Sequence, residues 1–81
     1  MRLPRSVSGR DLVRALERLG YAVVRQSGSH IRLSTTASPT HSVTIPDHDT
    51  LRVGTLAGVV ADVATHHGLT KDEVSRRLFG P

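Results

Sequence analysis

Three short segments rich in β-branched or alternating apolar residues follow one another between residues 21 and 45 of this chain. They span residues 21–26, 30–34 and 42–45, and each is shorter than a typical helix. Pro46 ends the third segment, because proline cannot donate a hydrogen bond to a neighbouring strand. Since antiparallel strands can be joined by short connections, the pattern predicts a three-stranded antiparallel meander.

Apolar residues at helical spacing flank the predicted strands on both sides. Residues 8–19 form one apolar stripe, with a serine-aspartate capping signal at the start and a glycine after the end. Residues 54–68 form a second stripe, and Thr70 with Glu73 makes a capping box for a short last helix. The fold class is therefore α+β, in the order helix, three strands, helix, short helix. The two long helices must cover one face of the sheet to bury it.

The register of the second and third strands follows from their apolar residues, which should share the face that the helices cover. Pairing Ile31 with Ile45 and Leu33 with Val43 places all four side chains on that face. Residues of the opposite parity then face outward.

A two-residue turn at residues 27–28 would join the first two strands and pair Val24 with Ile31. In this register Arg25 lies directly across from His30. The side chains expected on the uncovered face are Val23, Arg25, His30, Arg32 and Thr44.

A histidine between two arginines on an open sheet face has two interpretations. It can be an ordinary solvated polar face. However, like charges that oppose each other are unfavourable, and an anion would explain their presence. Residues 1–40 hold seven of the eleven basic side chains and only two of the seven acidic ones, which favours a polyanion such as nucleic acid.

Composition excludes several classes of protein. The 81 residues suffice for a single domain, and the absence of cysteine excludes disulfides and thiolate metal sites. Tyr21 and Phe79 are the only aromatic residues besides histidine, too few for a base-stacking platform. No segment has the roughly 20 apolar residues of a membrane span, and the N-terminus has no signal-peptide pattern. We therefore expect a cytoplasmic protein with no membrane contact.

The five histidines show no spacing typical of metal ligands, so we expect neither a metal nor another cofactor. The register brings His48, just past the third strand, close to Gly28 and His30. His41 falls at the opposite end of the sheet. The adjacent histidines near the end of the second long helix should point to different faces, which makes them a poor metal clamp.

Three motifs resemble those of the HicA toxins, also called YcfA-like mRNA interferases. They are RQSGSH at residues 25–30, VTIPDH at residues 43–48 and GTL at residues 54–56. The resemblance covers about residues 8–78 of a single domain, residues 1–81. It implies a fold like that of double-stranded-RNA-binding domains, α-β-β-β-α, which agrees with the order predicted above.

The resemblance also implies a function: a toxin that cleaves messenger RNA and is neutralised by a HicB-like antitoxin. His30 corresponds to the functional histidine of the Gly-Ser-His element and would be the general acid or base. The residues expected to bind RNA are Arg25, Arg32, Gly28, Ser29 and His48. An RNA 2′-hydroxyl is an internal nucleophile, so such an endoribonuclease would need no metal.

Two other functions use the same basic face. The chain could be a non-catalytic RNA-binding module, or a protein-interaction domain whose arginines meet an acidic partner. His30 discriminates between catalysis and binding, because a pure RNA-binding protein gains little from a mostly neutral histidine.

Overall fold

A computed structural model describes residues 3–80 and confirms the predicted α+β fold. The elements in chain order are α1 (Gly9–Arg18), β1 (Tyr21–Ser27), β2 (His30–Thr35), β3 (Ser42–Pro46), α2 (Val53–His67) and α3 (Lys71–Phe79). The strands form an antiparallel sheet in the order β1-β2-β3, so β1 and β3 are its edges.

The helix ends follow the capping signals of the sequence. Ser8 Oγ accepts a hydrogen bond from the Asp11 backbone N–H at 3.0 Å, and the Asp11 carboxylate accepts one from the Ser8 N–H at 3.1 Å. Thr70 and Glu73 make the same reciprocal pair at the start of α3. These hydrogen bonds favour the charged carboxylates and hold the pKa of both Asp11 and Glu73 below the usual range.

The core lies between the helices and one face of the sheet. Nine large side chains of the core have less than 2% of their surface exposed, and they come from all three helices and from the two strands β2 and β3. They are Leu12, Leu16, Ile31, Leu33, Ile45, Val60, Val63, Val74 and Leu78. The intervening residues of these strands, among them His30, Arg32 and Thr44, are exposed on the other face.

The register of β2 and β3 is as predicted: Ile31 pairs with Ile45, and Leu33 pairs with Val43. All four side chains are buried in the core. The apolar alternation of these two strands therefore sets their pairing.

The predicted register of β1 and β2 is wrong. The turn consists of Gly28 and Ser29, so that Ser27 pairs with His30 and Arg25 pairs with Arg32. Gly28 has a φ of 57°, which is the conformation that a type II′ turn requires at its first central position and that glycine adopts without strain. The glycine thus takes the first place in the turn rather than the second.

A shift of register between Val23 and Arg25 partly compensates for the displaced turn. It leaves Arg25 on the uncovered face, as predicted, since its partner there is Arg32. Val23, predicted to face outward, instead pairs with the buried Leu33 and is 43% exposed at the sheet edge. The irregularity at Val24 is thus a β-bulge that reverses the alternation along β1.

A cluster of polar rings ties the start of β1 to the end of α2. The buried Tyr21 hydroxyl hydrogen-bonds His41 Nδ1 at 2.7 Å and His67 Nε2 at 3.0 Å. His41 Nε2 lies 3.2 Å from the Asp62 carboxylate, and the His66 ring stacks on His41 at 4.5 Å. His41 is at the far end of the sheet from His30, as predicted. The adjacent His66 and His67 contact different residues, His41 and Tyr21 respectively.

The pKa of His67 is lowered from its ordinary value of 6.5, first by burial and then by the charges of His66, His41 and Arg77. The unfolded chain therefore takes up this proton at a higher pH than the folded chain. The stability that neutral His67 contributes is complete above pH 6.5 and is lost as the pH falls through the lower pKa of the folded state.

We expect the free energy of unfolding of the native chain to fall as the pH is lowered from about 7.5 to about 5. His67→Gln keeps a hydrogen-bonding group near Tyr21 but removes the titrating ring, so its decline should be shallower. Urea unfolding of both proteins at a series of pH values measures the difference. Parallel pH profiles would contradict this role of His67.

Candidate nucleic-acid interface

The uncovered face of the sheet carries an open depression of about 370 Å³. It is lined by Arg25, Ser27, His30, Arg32 and Thr44. The antiparallel pairing explains this grouping, because Arg25, Arg32 and Thr44 are consecutive partners across the three strands. No acidic side chain is among the lining residues, so the depression has a positive potential.

The two arginines oppose each other directly across β1 and β2. Arg32 Nη1 donates a hydrogen bond to Thr44 Oγ1 at 3.3 Å, which orients its guanidinium over the sheet. Within residues 3–80, neither arginine forms an ion pair with a carboxylate. Because opposed like charges are unfavourable in a sheet, this pair favours a bound anion such as a phosphate.

His30 is the first residue of β2 and is exposed at the edge of this depression. In the part of the chain that the structure describes, its ring has no hydrogen-bond, ion-pair or ring partner. Both ring nitrogens are therefore open to a bound molecule. An exposed imidazole beside two guanidinium groups can transfer a proton to or from an anion held there.

Three predicted RNA-binding residues lie beside the depression rather than in its lining. Gly28 and Ser29 form the turn that leads into His30. His48 is exposed in the segment after β3, and its carbonyl oxygen accepts a hydrogen bond from the Gly9 N–H at 2.9 Å. The neighbouring Asp47 N–H donates to the Ser29 carbonyl at 2.6 Å, which brings this segment to the turn.

Ser27 is a lining residue that the sequence analysis missed. The sequence predicts Ser27 in the turn, whereas it is the last residue of β1 and pairs with His30. The signal that would have found it is the order of the turn residues, since a glycine-first pair favours a type II′ turn at Gly28 and Ser29.

Among residues 3–80, no group of three or more histidine or acidic side chains could hold a metal ion. No helix of that part of the chain is long and apolar enough to cross a bilayer.

A protein-family model described as the HicA toxin of bacterial toxin-antitoxin systems matches residues 9–69. The match extends from the start of α1 to the second residue after the end of α2 and contains every residue that lines the depression. The helix α3 lies beyond it. No curated protein and no solved structure matches the chain.

Proposed function

Because the chain belongs to the HicA family of toxins of bacterial toxin-antitoxin systems, we propose that it is an endoribonuclease that cleaves messenger RNA. The observation that carries this proposal is the His30 ring, which has no partner among residues 3–80, beside the opposed Arg25 and Arg32 on the open face. These groups supply what cleavage by the RNA's own 2′-hydroxyl needs: a proton-transfer group and fixed cations.

The reaction proceeds in one displacement at phosphorus. His30 takes the proton from the 2′-hydroxyl as that oxygen forms a bond to phosphorus, and the bond from phosphorus to the 5′-oxygen breaks. The leaving 5′-oxygen receives a proton, and the product strand ends in a 2′,3′-cyclic phosphate. Arg25 and Arg32 offset the charge that develops on the phosphate oxygens. His48 is the candidate for the second proton transfer, because it follows the segment tied to the turn.

The proton-transfer role of His30 is tested by His30→Gln, which keeps a hydrogen-bonding group but cannot transfer a proton at neutral pH. We expect the cleavage rate to fall by about a hundred- to ten-thousand-fold. RNA affinity and the free energy of unfolding should change little, because the side chain is exposed. Single-turnover cleavage of a labelled RNA measures the rate, and the products should carry a 2′,3′-cyclic phosphate.

A 2′-deoxy nucleotide at the cut site should block cleavage by the native chain. His67→Gln is the matched control, since it makes the same change at a histidine outside the depression, in the ring cluster at the far end of the sheet. Near-normal cleavage by His30→Gln would show that His30 only binds RNA, and His48 would then be the candidate for the main proton-transfer group.

The arginines are tested by the salt dependence of RNA binding. Arg25→Gln and Arg32→Gln should each weaken binding and reduce the slope of log K against log salt by about 0.7 to 1. Arg14→Gln is the control, because Arg14 pairs with Asp11 on α1, on the side of the sheet that the helices cover. If the slope is unchanged in both test variants, the RNA binds elsewhere.

The alternative functions give other outcomes in these experiments. For a non-catalytic RNA-binding module, the arginine variants lose affinity while the native chain leaves RNA intact. For a protein-interaction domain, even the native chain binds RNA weakly, and the arginine variants lose affinity only for an acidic protein partner.

We propose a HicB-like protein as the antitoxin partner, and that it covers the His30 face with acidic groups against Arg25 and Arg32. Burying two opposed arginines without acidic partners would be costly. Arg25→Glu and Arg32→Glu should therefore weaken antitoxin binding at least tenfold, and Arg14→Glu should not; isothermal titration calorimetry measures this. A complex in which diethyl pyrocarbonate still modifies His30 at the rate of the free toxin would contradict masking of this face.

A further inference from the structure

Three separate segments meet where the β1–β2 turn reaches the covered side of the sheet. The Gly9 N–H, at the start of α1, donates to the His48 carbonyl at 2.9 Å, and a side chain at Gly9 would collide with the Pro46 carbonyl. The Asp47 N–H donates to the Ser29 carbonyl at 2.6 Å. The start of α1, the end of β3 and the turn before His30 are thus in direct main-chain contact.

Arg10 connects the side chains at this junction. Its Nε donates to Asp47 Oδ1 at 3.3 Å and its Nη2 to Asp47 Oδ2 at 3.2 Å, a two-point contact with the carboxylate. The same Nη2 donates to Gln26 Oε1 at 3.2 Å, and Gln26 Nε2 reaches the Gly28 carbonyl at 3.5 Å. The Arg10 guanidinium therefore holds both residues that contact the turn. Gln26 contacts Gly28, and Asp47 contacts Ser29.

The turn needs such polar anchors because it has no apolar ones. Every residue from 23 to 30 is exposed, and the first fully buried side chain after the turn is Ile31. His30 pairs with Pro46 of β3 on one side, but the turn that precedes it and its pairing with β1 rely on hydrogen bonds around residues 26–29, since β1 is an edge strand. Segments with few buried apolar contacts open locally without global unfolding.

We propose that Arg10 is a positioning residue, which holds the Gly28–Ser29 turn through Asp47 and Gln26 and thereby places His30 for proton transfer. This inference rests on the proposed function of His30. Arg10 differs from Arg25 and Arg32 in having a carboxylate partner, so its charge is already neutralised by the protein. Its role is therefore to orient the turn rather than to bind a phosphate.

Direct RNA binding by Arg10 is the competing explanation, and Asp47→Asn separates the two. If Arg10 positions the turn, Asp47→Asn removes the same two-point contact and slows cleavage as Arg10→Gln does. If Arg10 binds phosphate, Asp47→Asn frees the guanidinium, removes a negative charge and strengthens RNA binding. The two hypotheses thus give opposite results for one substitution.

The experiment compares the native chain with Arg10→Gln, Arg10→Lys and Asp47→Asn, with Arg14→Gln as the matched loss of one charge from the same helix. We expect kcat to fall by about ten- to a hundredfold in Arg10→Gln and Asp47→Asn, with little change in KM. Arg10→Lys should recover part of kcat, because lysine keeps the charge but not the two-point geometry. The double variant of Arg10 and Asp47 should be no slower than the slower single variant.

Amide hydrogen exchange of Gly28, Ser29 and His30 without RNA gives a readout that does not depend on catalysis. Exchange should be faster in Arg10→Gln and Asp47→Asn but not in Arg14→Gln, while the free energy of unfolding changes little, since the Arg10 side chain is 51% exposed. Unchanged exchange, or tighter RNA binding by Asp47→Asn with normal kcat, would overturn the proposal. Failure of the native chain to cleave RNA would instead refute the proposed function, and the exchange rates would still decide whether Arg10 orders the turn.

Discussion

The alternation along β2 divides the sheet into an apolar face and a charged face. Ile31 and Leu33 are fully buried, whereas His30, which precedes them, and Arg32, which lies between them, are exposed. Because side chains alternate along a strand, the helices that cover the first pair necessarily leave the second pair uncovered. The core and the candidate site are thus two consequences of one pattern, and a slip of β2 by one residue would destroy both.

The five histidines divide into two groups at opposite ends of the sheet. His41, His66 and His67 contact one another, Tyr21 or Asp62 at the far end of the sheet, where they join secondary-structure elements. Within residues 3–80, only His30 and His48 have rings without a partner, and only His30 lines the depression. The choice of His30 therefore rests on its surroundings as well as on its place in the Gly-Ser-His element.

Most of the fold could be predicted from the sequence because its signals are local. Capping boxes, helical stripes and the alternation of β2 and β3 each depend on residues a few positions apart. The register of β1 could not be predicted, because Tyr21 is the only buried residue of that strand and the apolar pattern does not distinguish its two faces. The link from Arg10 to Asp47 joins exposed polar residues 37 positions apart, and no periodicity in the chain indicates it.

The proposed function requires a phosphate of RNA to bind between Arg25 and Arg32, with His30 beside it. The most direct test is an NMR titration of the native chain with a 2′-O-methyl RNA, which binds but lacks the nucleophile. We expect the His30 ring signals and the Nε–H signals of both arginines to shift together with a single Kd, while the Arg14 signal stays in place. Shifts confined to the histidine cluster at the other end of the sheet, or to α3, would contradict the account.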